Sequence, residues 1–247
     1  MRILGDSNIT AADVTATNVL AASFTEKLKN FQLTDKMITL TNETDIDFTF
    51  NGDIPGINQI VLCGTNLSPT AVVEVSYSDT DIESPDATIS MQVFSTLNQV
   101  IFLDSVLTKK FWKVHVLDTG LSSLFVGYLY CGEYLDIPFV EFGHNAELNI
   151  FSNSSKSKTG QRYGGKTYNA LPVDFTMLLN FDLLNDYIAI KLEKQNIDPV
   201  VLIEYIETYD NVLYRPKYGV LANTEIPYPQ NRNTLNYAID DRLEEIF

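Results

Sequence analysis

The run Asp45-Ile46-Asp47-Phe48-Thr49-Phe50-Asn51 puts Ile46, Phe48 and Phe50 on one side of an extended chain, with the acids, Thr49 and Asn51 on the other. Successive side chains of a strand point to opposite faces, so this alternation predicts a strand with one buried face and one wet face. The same period of two dominates residues 37–162. It returns in Ile57–Cys63 and in 71–77, separated by Gly64-Thr65-Asn66-Leu67-Ser68-Pro69, whose turn formers suit an antiparallel connection. Further strands are predicted at 99–103, Phe111–Leu117 and 124–131. Short strands joined by Gly, Asn, Asp and Pro loops predict a β-sandwich. Phe111 and Trp112, the single tryptophan, are expected in its core, with the indole anchoring both sheets.

Working outward, residues 1–36 read as an N-terminal arm or first strands, 37–135 as the sandwich, and 136–247 as a β-rich C-terminal region. One helix is predicted near 182–195. There Leu184, Ile188 and Leu192 recur at four-residue spacing, Phe181 and Tyr187 extend the stripe, and Asn196 and Pro199 end it. Strands resume at Val200–Glu207, 218–221 and 234–247, the last closing in an acidic run from Asp240 to Glu245.

The chain has 247 residues, with 17 Lys and Arg against 32 Asp and Glu, a formal net charge of −15. Nucleic-acid binding rests on clustered cations that neutralise phosphates, so this balance excludes it. No apolar run approaches the roughly 18–20 residues of a membrane span, and Asp6 interrupts the N-terminus before a signal-like apolar stretch forms. A soluble, unprocessed protein is expected. Against this acidic background Lys156, Lys158, Arg162 and Lys166 form a basic island, read as a loop, with no acid between Ser152 and Asn169. Cys63 and Cys131 each end an apolar run just before a glycine, which favours two buried thiols over a disulfide.

Signals for chemistry are sparse. His115 and His144 are far apart and lack flanking carboxylates, so zinc and histidine-based catalysis are not expected, and His115 reads as an imidazole partly exposed on a sheet. No P-loop, dinucleotide fingerprint, nucleophile elbow or zincin motif occurs. Gly164-Gly165 lacks the preceding strand and following helix of a phosphate cradle. The loop from Asp79 to Asp86 offers oxygen ligands at alternate positions, but without the glycine and terminal glutamate of an EF-hand it reads as a solvated loop rather than a calcium site. Exposed tyrosine beside arginine suits sugar stacking, yet core and interface roles better fit so many rings. No catalytic, cofactor-binding or metal-binding residue is therefore assigned.

Ile57 to Tyr77, then Phe111-Trp112-Lys113-Val114-His115-Val116-Leu117-Asp118, then Leu124 to Gly132 resemble the galactose-binding-like, discoidin-related jelly-roll sandwich. The turn with Asn66, the aromatic-Trp pair, and Gly127, Leu129 and Gly132 carry the likeness. Lys113 stands where the pattern often has arginine, which withholds any sugar contact from it, while Asp118 closes the strand as the pattern does. The later order, through Gly160-Gln161-Arg162-Tyr163-Gly164-Gly165, the helix, Asp198-Pro199-Val200 and Tyr218-Gly219-Val220-Leu221, resembles virion proteins of tailed-phage tails and baseplates. The resemblance implies a non-enzymatic structural component of the virion, made in the host cytoplasm. It would bind other virion proteins, assemble as a homo-oligomer or ring, and dock through the basic segment. The alternative is a carbohydrate-binding module for a host-surface glycan.

Overall fold

The computed structural model describes residues 2–4, 7–30, 35–91, 93, 98–137, 140–143, 150–156, 162–168, 173–194, 200–207, 212–221 and 237–245. The chain is mainly β and divides into two compact units, one of Arg2–Asp136 with Val201–Lys217, the other of Ile137–Val200 with Tyr218–Phe247. In chain order the first unit holds β1 (Arg2–Leu4), β2 (Asp13–Ala16), β3 (Met37–Ile38), β4 (Glu43–Thr49), β5 (Ile57–Cys63) and β6 (Val72–Ser78). These are followed by β7 (Ala87–Met91), β8 (Gln99–Leu107), β9 (Phe111–Leu117), β10 (Phe125–Val126), β11 (Tyr128–Gly132) and β12 (Leu135–Asp136).

Two antiparallel sheets make the sandwich, five strands in the order β2-β4-β9-β6-β7 and three in the order β11-β5-β8. From β4 onward the chain passes back and forth between them, the jelly-roll connection. In the five-stranded sheet the period-two reading holds: Ile46, Phe48, Val73, Val75, Trp112, Val114 and Val116 are fully buried, and the residues between them are half-buried or exposed. In β5, by contrast, all seven positions are buried. Its sheet is therefore covered on both faces, and the segment around Ser7 reaches it, Ser7 Oγ accepting from Cys131 N–H at 3.3 Å. β1 pairs with β12 through Ile3↔Leu135, and Arg2 stacks 4.1 Å from the Phe102 ring and 4.3 Å from that of Tyr134.

Trp112 is stacked on Phe48 with ring centroids 5.9 Å apart and tilted against Tyr77 at 5.3 Å. The register explains this, since Phe48 and Tyr77 are its direct cross-strand neighbours on either side. Its indole N–H donates to the Lys109 carbonyl at 2.8 Å. Phe111, read with it as core, is only half-buried. Adjacent strand residues face opposite ways, so one of the two must point out of the sandwich.

The turn after β5 is built by its own residues. Gly64 has φ of 66°, a left-handed conformation that glycine adopts freely, and its N–H donates to Asn98 Oδ1 at 3.0 Å. Asn66 ties the turn to the segment before β10, accepting from Phe125 N–H at 2.7 Å and donating to the Ser123 carbonyl at 3.1 Å. Asp118, fully buried, accepts from Ser68 N–H at 2.7 Å and Gly120 N–H at 2.9 Å. Burial pushes its carboxyl up, but the hydrogen bonds from Ser68 and Gly120 outweigh that and hold it below the ordinary value. The folded carboxyl thus stays ionised where the unfolded one takes a proton, so its contribution is present above about pH 4 and lost as pH falls through the lowered value. Asp118→Ala is expected to destabilise the sandwich by about 1–3 kcal/mol at pH 7. The loss should shrink toward pH 2 in denaturant unfolding; a pH-independent loss would mean that the charge contributes nothing.

The second unit contains β13 (Val140–Gly143), β14 (Ile150–Lys156), β15 (Arg162–Tyr168), β16 (Val173–Leu179) and α1 (Phe181–Lys194). It is completed by the ends of β17 (Val200–Glu207) and β18 (Val212–Leu221) that reach it, and by β19 (Tyr237–Glu245). β19 pairs with β18 and β16, and β16 with β13. The helix lies within a residue of its predicted span, and Asn180 caps it by accepting from Leu183 N–H at 2.9 Å. Its buried face differs from the predicted stripe: Leu184, Tyr187 and Lys191 are buried, whereas Leu192 is 51% exposed and Phe181 60%.

Candidate functional site

The most densely cross-linked polar surface of the sandwich lies where the β6–β7 loop meets the start of β9. Ser78 Oγ accepts from Thr80 and Asp81 N–H at 3.2 and 3.3 Å. Asp81 Oδ1 accepts from Glu83 N–H at 3.1 Å, and Asp86 N–H returns to the Tyr77 carbonyl at 2.8 Å. These local bonds fix a loop that composition alone would leave mobile. Lys109 Nζ then bridges its two ends, 2.5 Å from Asp79 and 3.0 Å from Asp86. Lys113 Nζ holds the middle, 3.1 Å from Glu83 and 4.0 Å from Asp47. Half-buried Phe111 sits between the two lysines in sequence.

Electrostatics follow from the pairing. Hydrogen bonds to Asp79 and Asp86 raise the Lys109 ammonium above its ordinary value. Burial pulls Lys113 down, yet the bond to Glu83 and the charge of Asp47 leave it raised. Asp47 is raised by burial, which the nearby Lys113 only partly offsets. Three of the four carboxylates in the loop considered for calcium, Asp79, Glu83 and Asp86, are thus paired with the ammonium groups of Lys109 and Lys113. No group of three or more His, Cys, Asp or Glu among the described residues is arranged to hold a metal ion.

Next along β9, His115 has the carboxylates that its flanking sequence lacks. Nδ1 lies 2.8 Å from Asp45 Oδ1 and Nε2 4.0 Å from Glu43. Both acids come from β4, which pairs His115 directly with Asp45. A base needs one free nitrogen beside a nucleophile. Here both nitrogens face acids, so His115, Asp45 and Glu43 form a polar cluster on a sheet surface rather than a base beside a nucleophile. Period-two spacing in both strands was the available signal, but register cannot be read from either strand alone.

The four cations of the basic island are distributed differently from the predicted loop. Lys156 belongs to β14 and Arg162 and Lys166 to β15, an antiparallel pair in which Lys156 is opposite Arg162 and Ser152 opposite Lys166. Lys158 and His144 lie outside the described residues. Cys63 and Cys131 are free and buried. They sit on paired strands but out of register, since Cys63 is opposite Tyr128 and Cys131 opposite Ile60. Burial pushes both thiols far up, so neither is a nucleophile at neutral pH. No helix among the described residues is long and apolar enough to cross a membrane.

Solved structures that this chain resembles include sugar-binding modules. One is chitosan-binding module 1 of a chitosanase/glucanase from Paenibacillus sp. IK-5, at 12% identity and TM-score 0.43, matching 52% of this chain and 99% of that one. Others are a family 32 carbohydrate-binding module from Streptococcus pneumoniae EndoD, at 15% identity, TM-score 0.41 and coverages of 52% and 99%, and a Streptococcus pneumoniae fucose-binding module, at 12%, 0.40, 51% and 94%. Each match spans about half of this chain. No family model and no curated protein sequence matches the chain. The fold class rests on strand order: sheets of five and three antiparallel strands, joined as a jelly roll, make the β-sandwich that the sequence predicts.

Proposed function

We propose that the chain is a non-catalytic recognition module that binds a glycan at the lysine-clamped rim. The supporting observation is the combination at that rim: half-buried Phe111, lying between Lys109 and Lys113 in sequence, and the loop carboxylates that those two lysines already hold in place. A glycan is a flexible polyol, so a site that is ordered before binding avoids part of the entropy cost. Fixed carboxylate and ammonium groups suit hydroxyls, and an aromatic surface suits the apolar face of a sugar ring. The test is a glycan array probed with the full chain, followed by titration of the retained glycan. Phe111→Ala and Lys109→Ala should each weaken binding by about tenfold or more, with the unfolding midpoint little changed. An array that retains nothing overturns the reading, as does a retained glycan that both variants bind like the parent.

A second reading, a component of a phage tail or baseplate, draws on the sequence resemblance and is favoured by one observation. The pairing of β14 with β15 sets Lys156, Arg162 and Lys166 at register positions of a single face. Limited proteolysis of the free chain and of assembled particles should show cleavage between Lys156 and Arg162 only when the chain is free. Equal cleavage, or absence of the chain from particles, counts against it.

A further inference from the structure

We propose that the glycan of the lysine-clamped rim carries an anionic group, a carboxylate or a sulfate, and that Lys110 receives it. This rests on the reading of the rim as a glycan site and names the class of glycan. Ion pairing sorts the three lysines at the rim. Lys109 is engaged by Asp79 and Asp86, and Lys113 by Glu83 and Asp47. Between them in sequence, half-buried Lys110 makes no ion pair among the described residues, and its Nζ lies 5.1 Å from the centroid of the Phe111 ring. That is within the reach of a cation–π contact, which holds the ammonium over the ring without neutralising it. The residue is anchored through its backbone, where the Lys110 carbonyl accepts from Phe50 N–H at 3.1 Å.

Ring and ammonium therefore act as one unit. Phe111, itself half-buried, stands on the outer face of the sheet with Thr49 and Ser78 as its register partners. A sugar laid on the exposed part of the ring brings its own substituents alongside Nζ. A carboxylate or sulfate there gains a charge-assisted hydrogen bond and the Coulomb attraction of a cation that has no other anion to satisfy. A hydroxyl gains only the hydrogen bond, and an amine meets a like charge. The formal charge of −15 opposes an anion at long range. At physiological ionic strength that field is screened beyond about 8 Å, whereas direct contact with Nζ is not.

The full chain is applied to an array on which each neutral glycan is matched by carboxylate-bearing, sulfated and amine-bearing forms, and the retained glycans are titrated by calorimetry. An anionic form should bind at least about tenfold more tightly than its neutral match. Comparing the carboxylated and sulfated matches identifies which anion is used. Lys110→Ala should bind the charged and neutral forms alike, and Lys110→Arg should keep the preference. Phe111→Ala should weaken both. The Lys110 side chain makes no hydrogen bond among the described residues, so its variants should keep the unfolding midpoint of the parent. A neutral or amine-bearing form bound as tightly as the anionic one, or a preference that survives Lys110→Ala, overturns this inference and leaves a glycan site at the rim. An array that retains nothing overturns both.

Discussion

Trp112→Ala is expected to lower the unfolding free energy by about 3–5 kcal/mol, the range for removing a large buried ring. Three losses combine at this position. The fully buried indole leaves a cavity between Phe48 and Tyr77, the ring stacking across three strands disappears, and the Lys109 carbonyl loses its donor. Trp112→Phe should cost less, because a ring remains against Phe48 while the Lys109 carbonyl is still left without its indole partner. Denaturant unfolding followed by far-ultraviolet circular dichroism measures both, since the only tryptophan reporter is removed. A loss below about 1 kcal/mol for alanine would show that the sandwich does not depend on this anchor. The same variant probes the rim. Lys109 uses its carbonyl to hold the indole and its ammonium to clamp Asp79 and Asp86, so core damage should reach the proposed glycan site through one residue.

What could be read from sequence follows from how far each determinant lies along the chain. The half-buried strands were legible because Ile46-Asp47-Phe48 and Trp112-Lys113-Val114 alternate within a few residues, and alternation is a local property. The complete burial of β5 was not, because Ile57–Cys63 contains Asn58 and Gln59 and the segment that reaches its sheet, around Ser7, is remote in sequence. The 182–195 helix was legible in extent, since Asn180 and the apolar spacing are local. Its buried face was misread for the opposite reason. Hydrophobicity favours the stripe through Ile188 and Leu192, whereas Asp241, 50 residues onward, draws Lys191 inward. The basic island was visible as charge, yet Ser, Gly and Lys have low strand preference and read as a loop. At the rim, the β6–β7 loop reads as merely solvated because Lys109 and Lys113, which order it, lie some 30 residues later.

The buried cluster in the second unit carries the other large expected effect. Asp241 stands on a sheet face otherwise lined by Phe175, Met177 and Leu243, all buried, and receives Lys191 Nζ at 2.6 Å together with the Tyr187 hydroxyl. Removing one member of such a pair leaves a charge buried without compensation, so Asp241→Ala is expected to cost about 3–5 kcal/mol in denaturant unfolding, and Lys191→Met about the same. Replacing both together, as Lys191→Met with Asp241→Leu, should recover most of the loss, because the desolvation penalty of both ions disappears with their attraction. Burial, and then the charge of Asp241, raise the Tyr187 phenol well above its ordinary value. An unfolded tyrosine releases its proton near pH 10 while the folded one keeps it, so the unfolded state then binds fewer protons. Stability from this group is constant below about pH 10 and falls above it. Tyr187→Phe should flatten that alkaline decline while losing about 1 kcal/mol at pH 7 for the missing hydrogen bond. A double variant as unstable as either single one, or an alkaline limb unchanged by Tyr187→Phe, would show that the cluster is not held by these charges.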